Sequence, residues 1–597
     1  MQNPWGELRE LIIDDIKDEF GWSVQLEEPN RTGFGDWALA CFDLAKTLGR
    51  NPVELAAEIA SKLEILGITT KAIGPYVNFY VDWKVWADKV LGGVGAKYGW
   101  ARKLRKTAVV DFSSPNPAHP FHMGTVRSTI LGESLCRILD SQGWSVKRLC
   151  YINDLGRQAA VALFGYLTYE KGKKPRGKPD VWLGQLYFRA NAAADSSPAM
   201  QERVEQILRE CEKGTKGYAD VGKRLVGWCL KGFQQTWKTM DVKFDKIIFE
   251  SQFVKRSKAL AAALKNKELT FESEGATVLN LEPHGLPSTI VLRSDGTGLY
   301  LIRDLAFAVW RDEEWKPERN VYVVAEDQKM HFQQLFKTLE LLGYADLARR
   351  SSHLAYSMVL LEGKKMSSRA GRIVLWDDLL AEGIKKVSAR MVPEAGEPEW
   401  KARLKAEWSK LSKAKQLEKS QANAIAAIKY FVLRYGPEKP VDFHWDAALA
   451  LEGDTGPYLQ YTHARAGAIL NKATKVKAAA IAAPQKANGA FSLAEKIAGE
   501  SKAAPVSLYS DEREQALLRL IARYPDVLRR ASEDMRPHYV AGYLYSLAEA
   551  FNKFYEALPV LRADAKTRAA RLKIVRAVKT VMASGLNLLG IEAVERM

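Results

Sequence analysis

The sequence predicts a multidomain α/β chain: a parallel-sheet domain flanked by an α+β amino-terminal domain and an all-α carboxy-terminal bundle. Three observations predict this. A strand, a Pro-rich loop, a helix and a second strand follow one another from Ala108 to Ile152, and such a βαβ unit has a right-handed crossover and requires a parallel sheet. Ahead of it, residues 1–100 combine helical periodicity with the strand-like GPYVNFYVDW. Behind it, from residue 386 onward, the pattern is almost wholly helical. At 597 residues the chain is too long for one core, since a domain averages roughly 100–200 residues.

The elements follow in order. Leu8, Leu11, Ile12 and Ile16, then Ala56, Ile59, Ala60 and Leu63, recur at helical spacing. A break at Gly92, Gly93 and Gly95 closes the first unit. Ala108 to Phe112 reads as a short apolar strand. His122 to about Ser141 reads as a helix, with Val126, Ile130, Leu135, Ile138 and Leu139 on one face, and Arg148 to Ile152 reads as the next strand. A helical insertion occupies about 160–240 and includes the basic run KGKKPRGKPD, read as a solvated loop. The sheet pattern resumes with KIIFE at 246–250, the hairpin-like TIVLRSDGTGLYLI and the apolar strand VYVVA at 321–325, so the central unit spans 101–385. The last unit, 386–597, carries an Ala- and Lys-rich low-complexity stretch at 471–505, read as a flexible insertion or long helical loop, and amphipathic runs such as ALLRLIARYPDVLRRA.

Composition excludes several classes. With 47% hydrophobic and 27% charged residues the chain has an ordinary globular composition, and no apolar run approaches the ~18 residues of a membrane span. MQNPWGELRELIIDDIKDEF lacks the basic-then-apolar order of a signal peptide. Five cysteines without a C-x-x-C pair disfavour a disulfide framework and a zinc ribbon, so a reducing, cytoplasmic setting is expected. A formal charge of +17 favours a polyanionic partner.

Two segments carry the chemistry. PNPAHPFHMGT, residues 115–125, leads from strand to helix, where free N–H groups and the positive dipole end receive a phosphate. Gly124 allows close approach of a base or phosphate, and His122 is placed to donate to an oxygen that gains charge. Neither G-x-G-x-x-G nor G-x-x-x-x-G-K-[ST] is present at this strand, which disfavours a dinucleotide dehydrogenase and a P-loop enzyme. The second segment, Gly363 to Gly371, reads as a glycine-framed loop in which Lys365, Met366, Ser367 and Ser368 can close over a triphosphate. Tyr300 and Asp304 are four apart and share a helix face, from which a carboxylate can take a guanidinium. Tyr458, Tyr461 and Arg465 likewise share one face, read either as a nucleic-acid surface or as a buried aromatic seam.

Together these segments resemble the class I aminoacyl-tRNA synthetases, with His122, Met123, Gly124 and Thr125 at the HIGH position and Lys365 to Ser368 at the KMSKS position. The finer resemblance is to the arginyl-tRNA synthetases and covers essentially the whole chain through SSPNPAHPFHMG, YINDLGRQ, LYLIRDLA, EGDTGPYLQYTHAR and LNLLGIEAVERM. It implies a Rossmann-type catalytic domain, ATP with Mg²⁺, L-arginine and tRNA(Arg) as partners, a monomer, and no nucleophile or general base. Asp111 and Asn116 then meet the α-amino and carboxylate groups of arginine. Tyr300, Asp304 and Gln328 hold its side chain. Tyr76 and Asn78 touch the tRNA elbow, Tyr458, Tyr461 and Arg465 face tRNA and position its acceptor end, and Tyr555 and Met597 bracket the anticodon loop.

Two positions depart from the family pattern. Thr125 replaces the second histidine of HIGH, and His119 stands where many arginyl enzymes carry a lysine that compensates for a missing KMSKS lysine. Because Lys365 is retained, the pyrophosphate charge is expected to fall to it. Another class I enzyme, for cysteine or glutamate, and a tRNA-binding paralogue without activation are the alternatives. The lack of a zinc-ligand cysteine set disfavours the cysteine enzyme, and Asp304 with Tyr300 favours a cationic substrate.

Overall fold

A computed structural model describes residues 3–29, 33–365, 374–392, 399–482 and 508–596. Met366, Ser367, Ser368 and Met597 lie outside the described residues, and of Lys365 only the backbone is described.

The first unit packs α1 (Pro4–Phe20), α2 (Phe42–Leu48), α3 (Pro52–Lys62) and α4 (Trp83–Gly92) on an antiparallel sheet of β1 (Trp37–Ala40), β2 (Ile68–Ile73) and β3 (Tyr76–Val81), in the order β1-β3-β2. Helix α1 starts where Asn3 accepts from the Gly6 N–H at 3.1 Å and Pro4 fills the first turn. Leu8, Ile12 and Ile16 are buried as their spacing predicts, whereas Leu11 lies on the exposed side.

The central unit holds a five-stranded sheet built from β4 (Thr107–Asp111), β5 (Ser145–Ile152), β6 (Lys246–Phe249), β10 (Arg319–Ala325) and β11 (Ser351–Tyr356). Every pairing is parallel and the order is β11-β10-β4-β5-β6. Between β4 and β5 runs α5 (Met123–Ser141), the crossover predicted from the sequence. After β5 come α6 (Arg157–Gly165), α7 (Pro179–Ser196), α8 (Pro198–Glu212) and α9 (Lys216–Thr239), and after β6 comes α10 (Val254–Asn266). Strands β7 (Thr270–Ser273), β8 (Ala276–Leu279) and β9 (Thr289–Leu292) form a separate antiparallel sheet. The hairpin expected at 289–302 stops short: Arg293 donates its N–H to Thr297 O at 2.9 Å, and α11 (Tyr300–Trp315) begins where a second strand was read. A side chain's strand propensity there yields to the 3.6-residue apolar period of Leu301, Ile302, Leu305 and Ala306, all buried.

The strand order reverses at β4 and β10, because β5 and β6 extend one side and β11 the other. Ligands of open parallel sheets bind at the carboxyl ends of the strands that flank such a reversal. Asp111 closes β4, and beyond β10 come α12 (Lys329–Leu342) and α13 (Ala345–Arg350).

A third small sheet joins β12 (Val359–Leu361), β13 (Lys364–Lys365) and, after α14 (Trp376–Arg390), α15 (Glu399–Ser409) and α16 (Lys413–Leu433), β14 (Val441–Phe443). Lys364 and Lys365 were read as loop; they pair with Leu361 and Leu360 as an antiparallel strand. Strand β14 likewise interrupts the region read as almost wholly helical. The chain ends in α17 (Trp445–Ala448), α18 (Gly456–Ala482), α19 (Glu512–Glu533), α20 (Pro537–Ala557) and α21 (Ala565–Leu588). Helix α18 carries the first part of the Ala- and Lys-rich stretch, whose remainder lies outside the described residues. The amino-terminal unit docks on this bundle through Arg519–Asp36 (2.7 Å), Arg523–Glu28 and the Tyr98 hydroxyl on Ile521 O (3.0 Å).

Candidate active site and nucleic-acid faces

His122 is the amino-terminal cap of α5, and its Nδ1 accepts the Gly124 N–H at 3.1 Å. Nδ1 is therefore unprotonated and Nε2 carries the ring's proton. Burial, with a smaller push from His119, lowers the pKa of His122 to about 4, so the ring is neutral at pH 7 and offers an uncharged N–H donor at Nε2. A Cβ on Gly124 would sit 3.0 Å from His122 Cε1, which is why glycine suits this first turn. Thr125, in the same turn, is 9% exposed. His119 packs edge-on to Tyr187 at 4.9 Å, and burial lowers its pKa. It is neutral at pH 7 and supplies no charge in place of a lysine.

Of the five residues expected around arginine, Asp111 ends β4, Asn116 lies in the loop after it, Gln328 follows β10, and Tyr300 and Asp304 lie at the start of α11. Asp111 is 5% exposed and accepts from Ser114 Oγ at 3.1 Å. Burial outweighs the attraction of Arg311 and raises its carboxyl to about 6. Ser113 and Ser114, directly after β4, hold φ of 69° and 38°, a left-handed pair whose strain lies at the strand end that bears Asp111. The Asn116 amide is engaged at both ends: Nδ2 donates to Gln158 on α6, and Oδ1 accepts from Ala118 N within the loop at 2.8 Å. Tyr300 is 61% exposed at the first residue of α11. Asp304, one turn on, is bonded not to its neighbour Arg303 but to His331 Nε2 at 2.6 Å through Oδ2. Arg303 instead pairs with buried Glu250. Gln328 is exposed on the short turn after β10, three residues before His331.

Sequence reading missed His331, Tyr151 and the Glu250–Arg303 pair. The Tyr151 ring stacks on Phe307 at 4.5 Å, and its buried hydroxyl has no hydrogen-bond partner among the described residues. Its place in YINDLGRQ was the available signal. Glu250 Oε2 is also buried without a hydrogen-bond partner among the described residues, and burial raises its carboxyl to about 7 despite Arg303.

The two segments expected to bind nucleotide are joined by backbone hydrogen bonds. His122 bridges Leu375, Met123 N donates to Val374 O at 3.1 Å, and Trp376 N donates to Phe121 O at 3.1 Å. Residues directly after the second segment are thus fastened to the start of α5, while β13 leads into it from the other side.

Tyr458, Tyr461, Arg465 and Tyr555 line one cleft of about 790 Å³ between α18 and α20. Arg465 donates to the Tyr461 hydroxyl and to Asn552 Oδ1 (2.6 Å), Asn552 donates to the Tyr458 hydroxyl (2.8 Å), and the guanidinium lies 4.5 Å from the Tyr461 ring centre and 5.3 Å from that of Tyr555. The α18 face expected near the acceptor end therefore shares a cleft with the residue expected at the anticodon loop. In the amino-terminal unit Tyr76 meets exposed Phe42 edge-on at 5.6 Å. Asn78, two residues on, is only 1% exposed, and its Nδ2 has no hydrogen-bond partner among the described residues. An amide so covered does not stand on the surface with Tyr76 as expected.

Comparison with known proteins finds relatives that span essentially the whole chain. Residues 90–434 match the family described as tRNA synthetases class I (R), catalytic domain; residues 459–597 match the DALR anticodon binding domain; residues 6–81 match the arginyl tRNA synthetase N terminal domain. An arginine–tRNA ligase of Clostridioides difficile (strain 630) is 32% identical, covering 99% of this chain and 98% of its own length. One from Halothermothrix orenii is 32% identical, covering 99% of each. Among solved structures, Thermus thermophilus arginyl-tRNA synthetase superposes with a TM-score of 0.79 at 27% identity over 100% of both chains. The Plasmodium falciparum enzyme shares the fold, with a TM-score of 0.76 at 18% identity over 100% of both chains.

Proposed function

We propose, from the premise that this chain belongs to the arginyl-tRNA synthetase family, that the residues gathered at the β4/β10 reversal activate L-arginine and that the two tyrosine-bearing faces hold tRNA(Arg). The activity is that of an arginine–tRNA ligase. An oxygen of the arginine carboxylate bonds the α-phosphorus of ATP while the bond to the bridging oxygen breaks, and that electron pair leaves with pyrophosphate. A terminal ribose hydroxyl of tRNA, the 2′-OH in this class, then attacks the acyl carbon; AMP departs and the hydroxyl proton is lost. The carboxylate is already anionic, so no general base is needed for the first step. Rate comes from orientation and from stabilising charge on phosphate.

The single observation that carries the arginine reading is Asp304. It stands on α11 beside the sheet reversal, its Oδ2 held by His331 and its Oδ1 without a hydrogen bond from the described residues. A carboxylate oriented by a neighbour is a ready acceptor for guanidinium, and Tyr300 and Gln328 flank it. Asp111 receives the α-amino group and Asn116 the carboxylate. His122 Nε2–H donates to the phosphates, with the Thr125 hydroxyl beside it and Gly124 leaving room for the nucleotide. Lys365, with Met366, Ser367 and Ser368, neutralises the departing pyrophosphate, and Mg²⁺ enters on the triphosphate as part of the substrate.

Tyr458, Tyr461, Arg465 and Tyr555 offer an aromatic and cationic cleft that suits splayed bases of a tRNA loop; Met597 completes it. Tyr76 takes the tRNA elbow, with Asn78 beneath it. The protein acts as a monomer in the cytoplasm; no helix among the described residues is long and apolar enough to cross a membrane. Arginine-dependent ATP–pyrophosphate exchange, with and without tRNA and with lysine, glutamate and cysteine as controls, tests the reading. Exchange with arginine alone is expected; exchange with a control amino acid and none with arginine would refute it.

A further inference from the structure

Arg127 lies on α5 one turn beyond the His122 cap and is 1% exposed. A buried cation normally finds a carboxylate. This one instead donates to four main-chain carbonyls at 2.5 to 3.0 Å: Nη1 to Ser357 and Met358, Nη2 to Pro437 and Lys439. Those carbonyls belong to the two segments that enter β12 and β14. The same segments are laced to each other, Ser357 N to Pro437 O at 2.9 Å and Val441 N to Met358 O at 3.1 Å. Strand β12 then pairs with β13 through Leu360 and Lys365. One guanidinium thus fastens the root of the sheet that bears Lys365 to the helix whose first turn bears His122. The planar fork of arginine matches four acceptors in two pairs, and an ammonium on a flexible stem does not.

We propose that Arg127 is a positioning residue for adenylate formation: it sets the stance of the Lys365-bearing strands against the His122 end of α5 without touching substrate. The proposal rests on the roles given above to His122 and Lys365. Its distinguishing consequence is selective, because Asp304, Tyr300 and Gln328 hang from other elements. Misplacing one charge-bearing loop lowers the rate of the phosphoryl step and leaves arginine binding alone.

The test uses the full chain and ATP–pyrophosphate exchange. Arg127→Lys, which keeps a cation in the same space, is expected to lower kcat by about thirtyfold while the KM for arginine stays within about twofold. A wild-type kcat, or a KM for arginine that rises by the factor by which kcat falls, overturns the proposal. Arg127→Lys combined with Lys365→Ala should be no slower than Lys365→Ala alone, as for residues acting through one another; multiplicative slowing overturns it. A second measurement needs no variant: in the wild-type protein the amides of Val359 and Val441 should exchange with deuterium as slowly as those near Ile130, and exchange at both about a hundredfold faster overturns the clamp. A wild-type rate for Lys365→Ala, by contrast, removes the role given to Lys365 and leaves the exchange measurement to judge Arg127.

Discussion

His331 Nε2 and Asp304 Oδ2 stand 2.6 Å apart, joining the amino-terminal ends of α12 and α11. Burial alone would lower the pKa of His331, but the hydrogen bond and charge of Asp304 outweigh it and hold the imidazole above its ordinary 6.5. A protonated His331 orients Asp304 and at the same time opposes a second cation beside it.

The pH dependence of arginine binding follows. As pH rises through the elevated value of His331, the competing positive charge disappears and the KM for arginine should fall, by about tenfold between pH 6.5 and 8.5. His331→Gln should flatten that limb. A separate limb near pH 6, where Asp111 ionises, should persist in the variant. For folding the sign is opposite: the stability contributed by a His with a raised folded pKa is complete below 6.5 and is lost as pH rises through the folded value.

Lys365→Ala should slow arginine-dependent exchange by about a hundredfold, the scale of one lost transition-state charge contact, with the KM for arginine within about twofold. Steady-state exchange over a range of arginine and ATP concentrations checks this; an equal rise in the KM for arginine would remove the assignment. The structure sharpens the expectation, because His119 is a half-buried neutral ring against Tyr187 and cannot share the charge.

Arg465→Ala should raise the KM for tRNA(Arg) about tenfold and leave the KM for arginine unchanged, since the side chain organises Tyr461, Asn552 and, through Asn552, Tyr458 in one cleft. Aminoacylation kinetics with tRNA as the varied substrate measure it.

Arg303→Met should destabilise the fold by about 3 kcal/mol at pH 8, because it leaves the Glu250 carboxylate buried and unpaired. Glu250 has a folded pKa raised from 4.5 to about 7 by burial, so ionising it costs stability as pH rises between those values. The loss from Arg303→Met should therefore be smaller at pH 6, as denaturant unfolding at the two pH values will reveal.

Much of this architecture was legible because local signals agreed with tertiary need. The apolar strand at 108–112, the α5 period and the apolar 321–325 all mark elements buried on both faces, where pattern is strongest. Tyr300 and Asp304 could be placed on one face from spacing alone. What escaped depends on partners distant in sequence. Lys364 and Lys365 look like loop residues and become strand only because Leu360 and Leu361 pair with them and β14 backs β12. His331 has no motif of its own; its meaning comes from a carboxylate on another helix. Arg127 reads as one more surface charge on an amphipathic helix until four carbonyls from two distant segments close around it. Asn78 alternates with the core residues of β3, so period two would place it with Tyr76, yet packing covers it.

The central claim, that Asp304 selects arginine, is tested most directly by charging a tRNA(Arg) transcript with radiolabelled arginine or lysine, using the wild-type protein and Asp304→Asn. Wild-type protein should charge arginine and not lysine, and Asp304→Asn should lose about 2 kcal/mol of arginine discrimination, roughly thirtyfold in kcat/KM. Wild-type kcat/KM for arginine in Asp304→Asn, or charging with lysine by the unaltered protein, would contradict the account.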